Sequence, residues 1–332
     1  MTSATHADCV RLLRPLLPQE AFAPAPSRVI ALFVHAGIVL GVWASFRLVS
    51  GGAWPLLAIV AGHSSACIAF RAHELAHGGI LRHRGIAYAL EAVFWSFAFV
   101  PATLWRVVHN RIHHVQPNGP ADPDRRCHTG ERSPATTAAA ALLFPNRHLK
   151  GNPFCGLIFL GYVHRNLAAS LLQPGRWPAG NAGAGYSRGE RNRVVREIVL
   201  MLALQGVAFA LAGSLAAYLW AGPVTLFVCS AIVTAYIATN HFPNPLGSGR
   251  YPLPATTTVS VPRLCDRLHS FFSFHTEHHL FPGLNPTYYP MVSALLQRHF
   301  PADYHRVSMA AAWASLMRME LFVEPGEAES GD

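Results

Sequence analysis

Four long apolar runs set the frame of this chain. Residues 29–49, 53–70, 198–220 and 224–239 each come close to the roughly 20 apolar residues that cross a bilayer as a helix. They predict two helical hairpins, the first turning at Ser50-Gly-Gly-Ala53 and the second at Ala221-Gly-Pro223. Neither turn carries charge, whereas arginines crowd the opposite ends: Arg11, Arg14 and Arg28, then Arg71, Arg82 and Arg84, then Arg188, Arg191, Arg193 and Arg196. The positive-inside rule then places both termini and the long middle segment in the cytoplasm. Arg47, near the outer end of the first span, is expected to snorkel to the interface.

Two shorter apolar runs do not fit as spans. Residues 86–100 end at Pro101 and are too short; one crossing there would also carry the polar segment that follows to the outside, so the run reads as a re-entrant or interfacial helix. Residues 154–172, interrupted by His164 and Arg165, read as a helix on the membrane surface. Residues 178–185 read as a loop and residues 324–332 as an acidic, disordered tail. The expected organisation is a cytoplasmic N-terminal segment (1–27), a membrane domain (28–300) and a C-terminal helix with its tail (301–332). The fold class is an all-α integral membrane protein, with four transmembrane helices and a cytoplasmic helical cap.

Composition agrees with that frame. Of 332 residues, 51% are hydrophobic and only 13% charged, too apolar for an ordinary soluble domain. Asp8, Arg11, Arg14 and Glu20 precede any long apolar run, so no cleavable signal peptide is expected. Six cysteines without a Cys-x-x-Cys pair argue against a disulfide framework and a zinc-thiolate site of that type. The net charge of +9 comes almost wholly from arginines that flank membrane segments, which speaks for topology and anionic lipid rather than nucleic acid.

Three histidine clusters carry the chemistry: His73-Glu-Leu-Ala-His77, His109-Asn-Arg-Ile-His113-His114 and His275-Thr-Glu-His278-His279. They hold eight of the nineteen histidines, and the predicted topology brings all three to the cytoplasmic side. Residues four apart share a helix face, so His73/His77, His109/His113 and His275/His279 are each expected to aim at one point. Buried imidazoles need partners, and the partner that satisfies many neutral imidazoles together is a metal. A mononuclear zinc site takes about four ligands, whereas this number suits two iron ions with positions left for O2. Glu74 and Glu277, inside the clusters, are expected to accept hydrogen bonds from ring N–H groups. His73-Glu74-Leu-Ala-His77 also matches the zinc-protease pattern with Glu74 as base. An intramembrane metalloprotease would need a further ligand, often an aspartate, which Asn244-Pro-Leu-Gly247 does not supply, and it would leave six clustered histidines without a task.

The three runs, in this order around four spans, resemble the membrane fatty acid desaturase superfamily of di-iron desaturases, hydroxylases and acetylenases. Asp122-Pro-Asp124 after the second cluster and Glu277-His-His-Leu-Phe-Pro282 at the third add to the likeness, which covers roughly residues 28–300. The resemblance implies a ninth ligand at the cytoplasmic end of the fourth span, where His241 stands in Thr239-Asn240-His241. Asn240 is a candidate for holding a metal-bound water, and Asp122 and Asp124 are candidates for ordering groups around the ligands. It also implies O2-dependent acyl desaturation, with hydroxylation, acetylenation or carotenoid oxygenation as alternatives on the same scaffold. Non-enzymatic retention of the clusters is a further alternative. The expected substrate is a fatty acyl chain on lipid, acyl carrier protein or CoA, with the cluster pattern closer to acyl-lipid enzymes. With no haem-binding element in the N-terminal segment, a separate electron donor such as ferredoxin or a small cytochrome is expected. Arg82, Arg84, Arg106, Arg111, Arg125 and Arg126 are candidates for docking it, or for lipid phosphates. The expected site is the inner membrane of a bacterium. His63 reads as a packing histidine between helices, and His83, His128, His148 and His164 as interfacial or solvated. Trp95, Trp105, Trp177 and Tyr162 suit an aromatic belt, with Trp105 also a candidate for lining an acyl channel.

Overall fold

The computed structural model describes residues 4–119, 122, 124–125, 129–145, 153–172, 186–246 and 252–322. The expectations for residues 178–185 and 324–332, and for His128, His148, Trp177 and Arg126, lie outside them. Helices α1 (His6–Leu13), α2 (Val29–Ser45), α3 (Trp54–Ala76), α4 (Arg84–Trp95) and α5 (Ala102–Val108) make the first half. Helices α6 (Pro134–Leu143), α7 (Ile158–Leu172), α8 (Arg188–Ala212), α9 (Leu215–Leu219) and α10 (Thr225–His241) follow. The C-terminal part holds α11 (Pro252–Ala255), α12 (Arg263–Leu268), α13 (His275–Leu280), α14 (Tyr289–His299) and α15 (Met309–Leu316). It also holds two three-residue strands, β1 (Thr258–Ser260) and β2 (Arg306–Ser308), paired in parallel with Val259 opposite Val307. The chain is therefore mostly helical rather than strictly all-α: Thr256, Thr257 and Thr258 are buried β-branched residues, better suited to a strand than to another helical turn.

Among the described residues four helices are long and apolar enough to cross a membrane: Pro26–Ser45, Gly51–Ala76, Arg188–Ala212 and Leu215–His241. The second hairpin turns earlier than expected. Ser187 opens α8 with a capping box to Glu190, and Gly213, at φ 80°, closes it in the left-handed region. Ser214 then caps α9 through the N–H of Ala217. Ala221-Gly-Pro223 lies inside the fourth span, in a π-helical turn Trp220–Val224 that accommodates a proline with no N–H to donate. Arg47 does not reach away from the protein; its guanidinium caps α8 at the carbonyls of Leu211 (2.7 Å) and Ala210.

Helices α3 and α10 form the centre of the bundle, and both end in histidines. Their approach depends on Gly62, where a Cβ would stand 2.5 Å from Val228 Cβ and 2.8 Å from the Thr225 carbonyl oxygen. The run at residues 84–113 bends by 96° between Arg84–Ala98 and Ala102–His113, at Phe99 (φ 58°) and Pro101. Two buried carboxylates hold the bent pair. Glu197 of α8 accepts the Thr103 N–H (2.9 Å), the Thr103 hydroxyl (2.6 Å) and the Tyr88 hydroxyl (2.8 Å), and Glu91 pairs with Arg106. The segment expected on the membrane surface packs on α10: the Phe159 N–H meets Thr234 Oγ1 at 3.1 Å, and Ser230 donates to the Gly156 carbonyl at 2.6 Å. A separate apolar core joins Cys9, Leu13, Leu17 and Ala21 to Leu280, Leu284, Val292 and Leu296, so the N-terminal segment braces the third histidine cluster from behind.

Candidate metal centre

Each histidine cluster sits where a helix ends or changes pitch. His73 is in the last turn of α3 and His77 caps it; His241 closes α10; His275, His278 and His279 lie on α13. Helix α5 runs on into a π-helical turn, His109–His113, in which the His114 N–H bonds to the His109 carbonyl five residues back at 2.9 Å. This wider turn sends the adjacent rings of His113 and His114 to either side of the His109 direction.

The nine histidines converge in two groups. His73, His77, His109, His114 and His278 form one, and His113, His241, His275 and His279 the other, with the candidate ligand nitrogens of each within 4.8 Å of one another. In the first group the Nε2 atoms of His109 and His73 lie 3.0 Å apart, those of His114 and His109 2.9 Å, and those of His278 and His114 3.1 Å. In the second, His241 and His275 approach to 2.6 Å and His279 and His275 to 3.2 Å. Adjacent ligands of an ion bound at about 2.1 Å would stand about 3 Å apart, so the donor set fits metal ions. The pairs His73/His77 and His275/His279 share a group as their spacing predicts. His109 and His113 fall on opposite sides of this division, because the π turn replaces the α register and pairs His109 with His114, and they meet instead beside Asp124.

Burial supplies neutral donors. Outside the spans, His77, His114, His275, His278 and His279 are all held well below the usual histidine range, first by burial and then by one another. Two groups set tautomers. Asp122 places both carboxylate oxygens 3.0 Å from His113 Nδ1, and is itself held by the N–H groups of Asn118 (2.7 Å) and Asp124 (2.9 Å). The Tyr289 hydroxyl lies 3.1 Å from His278 Nδ1. Each leaves the opposite ring nitrogen for a metal. Asp124 stands 3.7 Å from His113 Nδ1 and shares a cluster with His109 and His113.

Glu74 and Glu277 are placed otherwise than expected. Glu74 is gripped by Arg28 (2.5 and 2.8 Å) and Arg71 (3.2 Å), and Glu277 accepts the hydroxyls of Thr258 (2.6 Å) and Tyr304. Carboxylates this deep recruit the strongest donors in reach, and those are arginine and hydroxyl groups rather than imidazole. Asn240 is fully buried, and neither polar atom of its side chain has a partner. The contacts that Tyr289, Arg28 and Tyr304 make here are invisible to a reading of the sequence, since single residues far from the clusters carry no spacing signal.

Both groups open onto one pocket. His73 and His109 face it from the first group and His113, His241 and His275 from the second, while Phe70, Trp95, Trp105, Phe159 and Phe272 form apolar walls. Trp105 stacks on His109 (centroids 4.0 Å apart) and meets Trp95 at a tilt (4.6 Å). Trp95 and Trp105 therefore line the cavity and are not part of a belt. His63 meets His269 between helices, His83 caps α4 and His164 stacks on Phe99.

The family described as fatty acid desaturase matches residues 51–311, most of the chain. The chain belongs to the fatty acid desaturase family. No curated protein matches it. For a member of the desaturase family the His-Glu-x-x-His spelling at His73 is incidental: a protease base would need a free Glu74, and both its oxygens are occupied by arginines.

Proposed function

We propose that this protein is an O2-dependent fatty acyl desaturase in which His73, His77, His109, His114 and His278 hold one iron ion and His113, His241, His275 and His279 a second. The observation that carries this reading is the shared pocket, where both histidine groups meet one set of apolar walls. Bound iron would supply O2 activation and hydrogen abstraction from an unactivated methylene. The chain's own residues do the rest. The aromatic walls exclude water and fix one stretch of an acyl chain against the histidines, so that only one carbon is presented. Asp122 keeps the proton of His113 on Nδ1, and Tyr289 orients His278. Asn240, with both side-chain polar atoms unpartnered, is the group to hold a water beside His241.

The substrate in this reading is an acyl chain carried by lipid, acyl carrier protein or CoA. The reductant is a separate donor, ferredoxin or a small cytochrome. Arg106 and Arg111 are engaged by Glu91 and Glu190, which moves the docking role toward Arg82 and Arg84. Both termini and the site face the cytoplasm of a bacterial cell in this proposal. Expression in a host of simple lipid composition, followed by mass spectrometry of released acyl chains, tests it. A new double bond is expected. A new hydroxyl would move the protein to the hydroxylases, and unchanged chains with an iron-loaded, reducible protein would contradict an acyl-lipid substrate.

A further inference from the structure

A second, smaller cluster of side chains of metal-ligating type lies one aromatic layer from the nine histidines. His63 and Cys67 are four residues apart on α3 and share a face, and His269, in the turn after α12, meets them. The donor atoms of the three lie within 4.8 Å of one another. The Nε2 atoms of His63 and His269 are 3.1 Å apart, and His63 Nδ1 is 3.9 Å from Cys67 Sγ. Tyr236 holds His269 from behind, its hydroxyl 2.8 Å from Nδ1, so that Nε2 is turned to His63. On α2, His35 has a buried Nδ1 without a partner and interacts electrostatically with both His63 and His269. The rings of Phe70 and Phe272 separate this cluster from His73 and His275.

Hydrogen bonds run from Tyr236 through His269 to His63, and Cys67 Sγ is the loosest member of the set. Two imidazoles and a thiol inside an apolar bundle are costly unless they share a task, and the sulfur contact is long for a useful hydrogen bond. The backbone adds a second observation. Ser270 and Phe271, directly after His269, both adopt left-handed conformations (φ 55° and 58°). Consecutive non-glycine residues stay there only when the surroundings enforce it. A tie at His269 is such an enforcement, and it stands six residues before His275.

We propose that His63, Cys67 and His269 bind one thiophilic cation of the zinc class, separate from the nine-histidine centre. Two imidazoles and one thiolate suit zinc better than the all-imidazole sets beside it. On metal entry the Cys67 thiol proton passes to bulk water and the sulfur binds the ion, while Tyr236 accepts the Nδ1–H of His269. The ion clamps the strained turn to α3 and so fixes the approach of α13 to the centre.

Cobalt(II) titration of the metal-stripped, full-length protein tests this directly. The nine-histidine groups can also take cobalt, but only a thiolate ligand produces a sulfur-to-cobalt charge-transfer band in the near ultraviolet. The expected result is a band whose final intensity corresponds to one thiolate-bound cobalt per chain in the wild type and in Cys9→Ser, whose cysteine lies in the other core. Cys67→Ser should lose the band together with one equivalent of cobalt and keep the remaining uptake. His63→Gln and His269→Gln, which preserve polar contacts in the cluster, should lose it as well. A wild type without the band, or a band unchanged in Cys67→Ser, overturns the proposal.

Discussion

His113 and His114 are neighbours in the chain, yet their rings belong to different histidine groups. The π turn makes this separation, with its hydrogen bond from His114 back to His109. Deleting Asn110 would restore the α register and swing one ring away from its group. The expected outcome is loss of activity by more than about a hundredfold, or roughly 2.7 kcal/mol in the barrier, while the helical content stays unchanged. Acyl-chain analysis beside circular dichroism reads both.

The bond between Asp122 and His113 and the bond between Tyr289 and His278 hold ligands from outside. Asp122→Asn and Tyr289→Phe should each weaken iron retention about 10–100-fold. Iron remaining after timed exposure to a chelator measures the change. Equal retention in both variants and wild type would remove these residues from the supporting shell.

How much of the site is legible in the sequence differs from residue to residue. The three clusters stand out because imidazoles at helical spacing, at the ends of apolar runs, are hard to satisfy by packing alone, whereas His241 is reached only through the family resemblance. The five-and-four division does not, because it comes from packing between α3, α5, α10 and α13 and from one turn that departs from α geometry. The partners of Glu74 and Glu277 are hidden for the same reason: Arg28 is 46 residues from Glu74, and Tyr304 is 27 from Glu277. The second hairpin is displaced from its expected turn because Pro223 is a strong breaker in general, whereas here Gly213 and Ser214 end one helix and start the next.

Burial of the imidazoles sets a pH dependence. His77, His114, His275, His278 and His279 have folded-state values well below the usual one. The unfolded chain takes up protons near pH 6.5, which the folded metal-free protein refuses. Stability is therefore complete above about pH 7 and falls as the pH drops below about 6.5 toward the folded-state values. The melting temperature of metal-free protein should decline between about pH 7 and about pH 5. Burial pushes the Asp124 carboxyl up to about 6, which acts in the opposite direction, so the comparison is made in Asp124→Asn, where a rise over that range would contradict the burial of these rings.

The approach of α3 to α10 at Gly62 can be tested without touching a histidine. Gly62→Ala places a methyl against Val228 and the Thr225 carbonyl, and should cost about 1–3 kcal/mol. Gly206→Ala, where nothing lies within 4 Å of the added carbon, is the control and should not lower the melting temperature.

The central claim is that nine histidines form two metal sites. Metal analysis of the purified, iron-reconstituted chain tests it most directly. Two irons per chain are expected in the wild type, and one is expected in both His278→Ala, from the five-histidine group, and His241→Ala, from the four-histidine group. A single zinc with no second ion, or two irons retained in both variants, would contradict it.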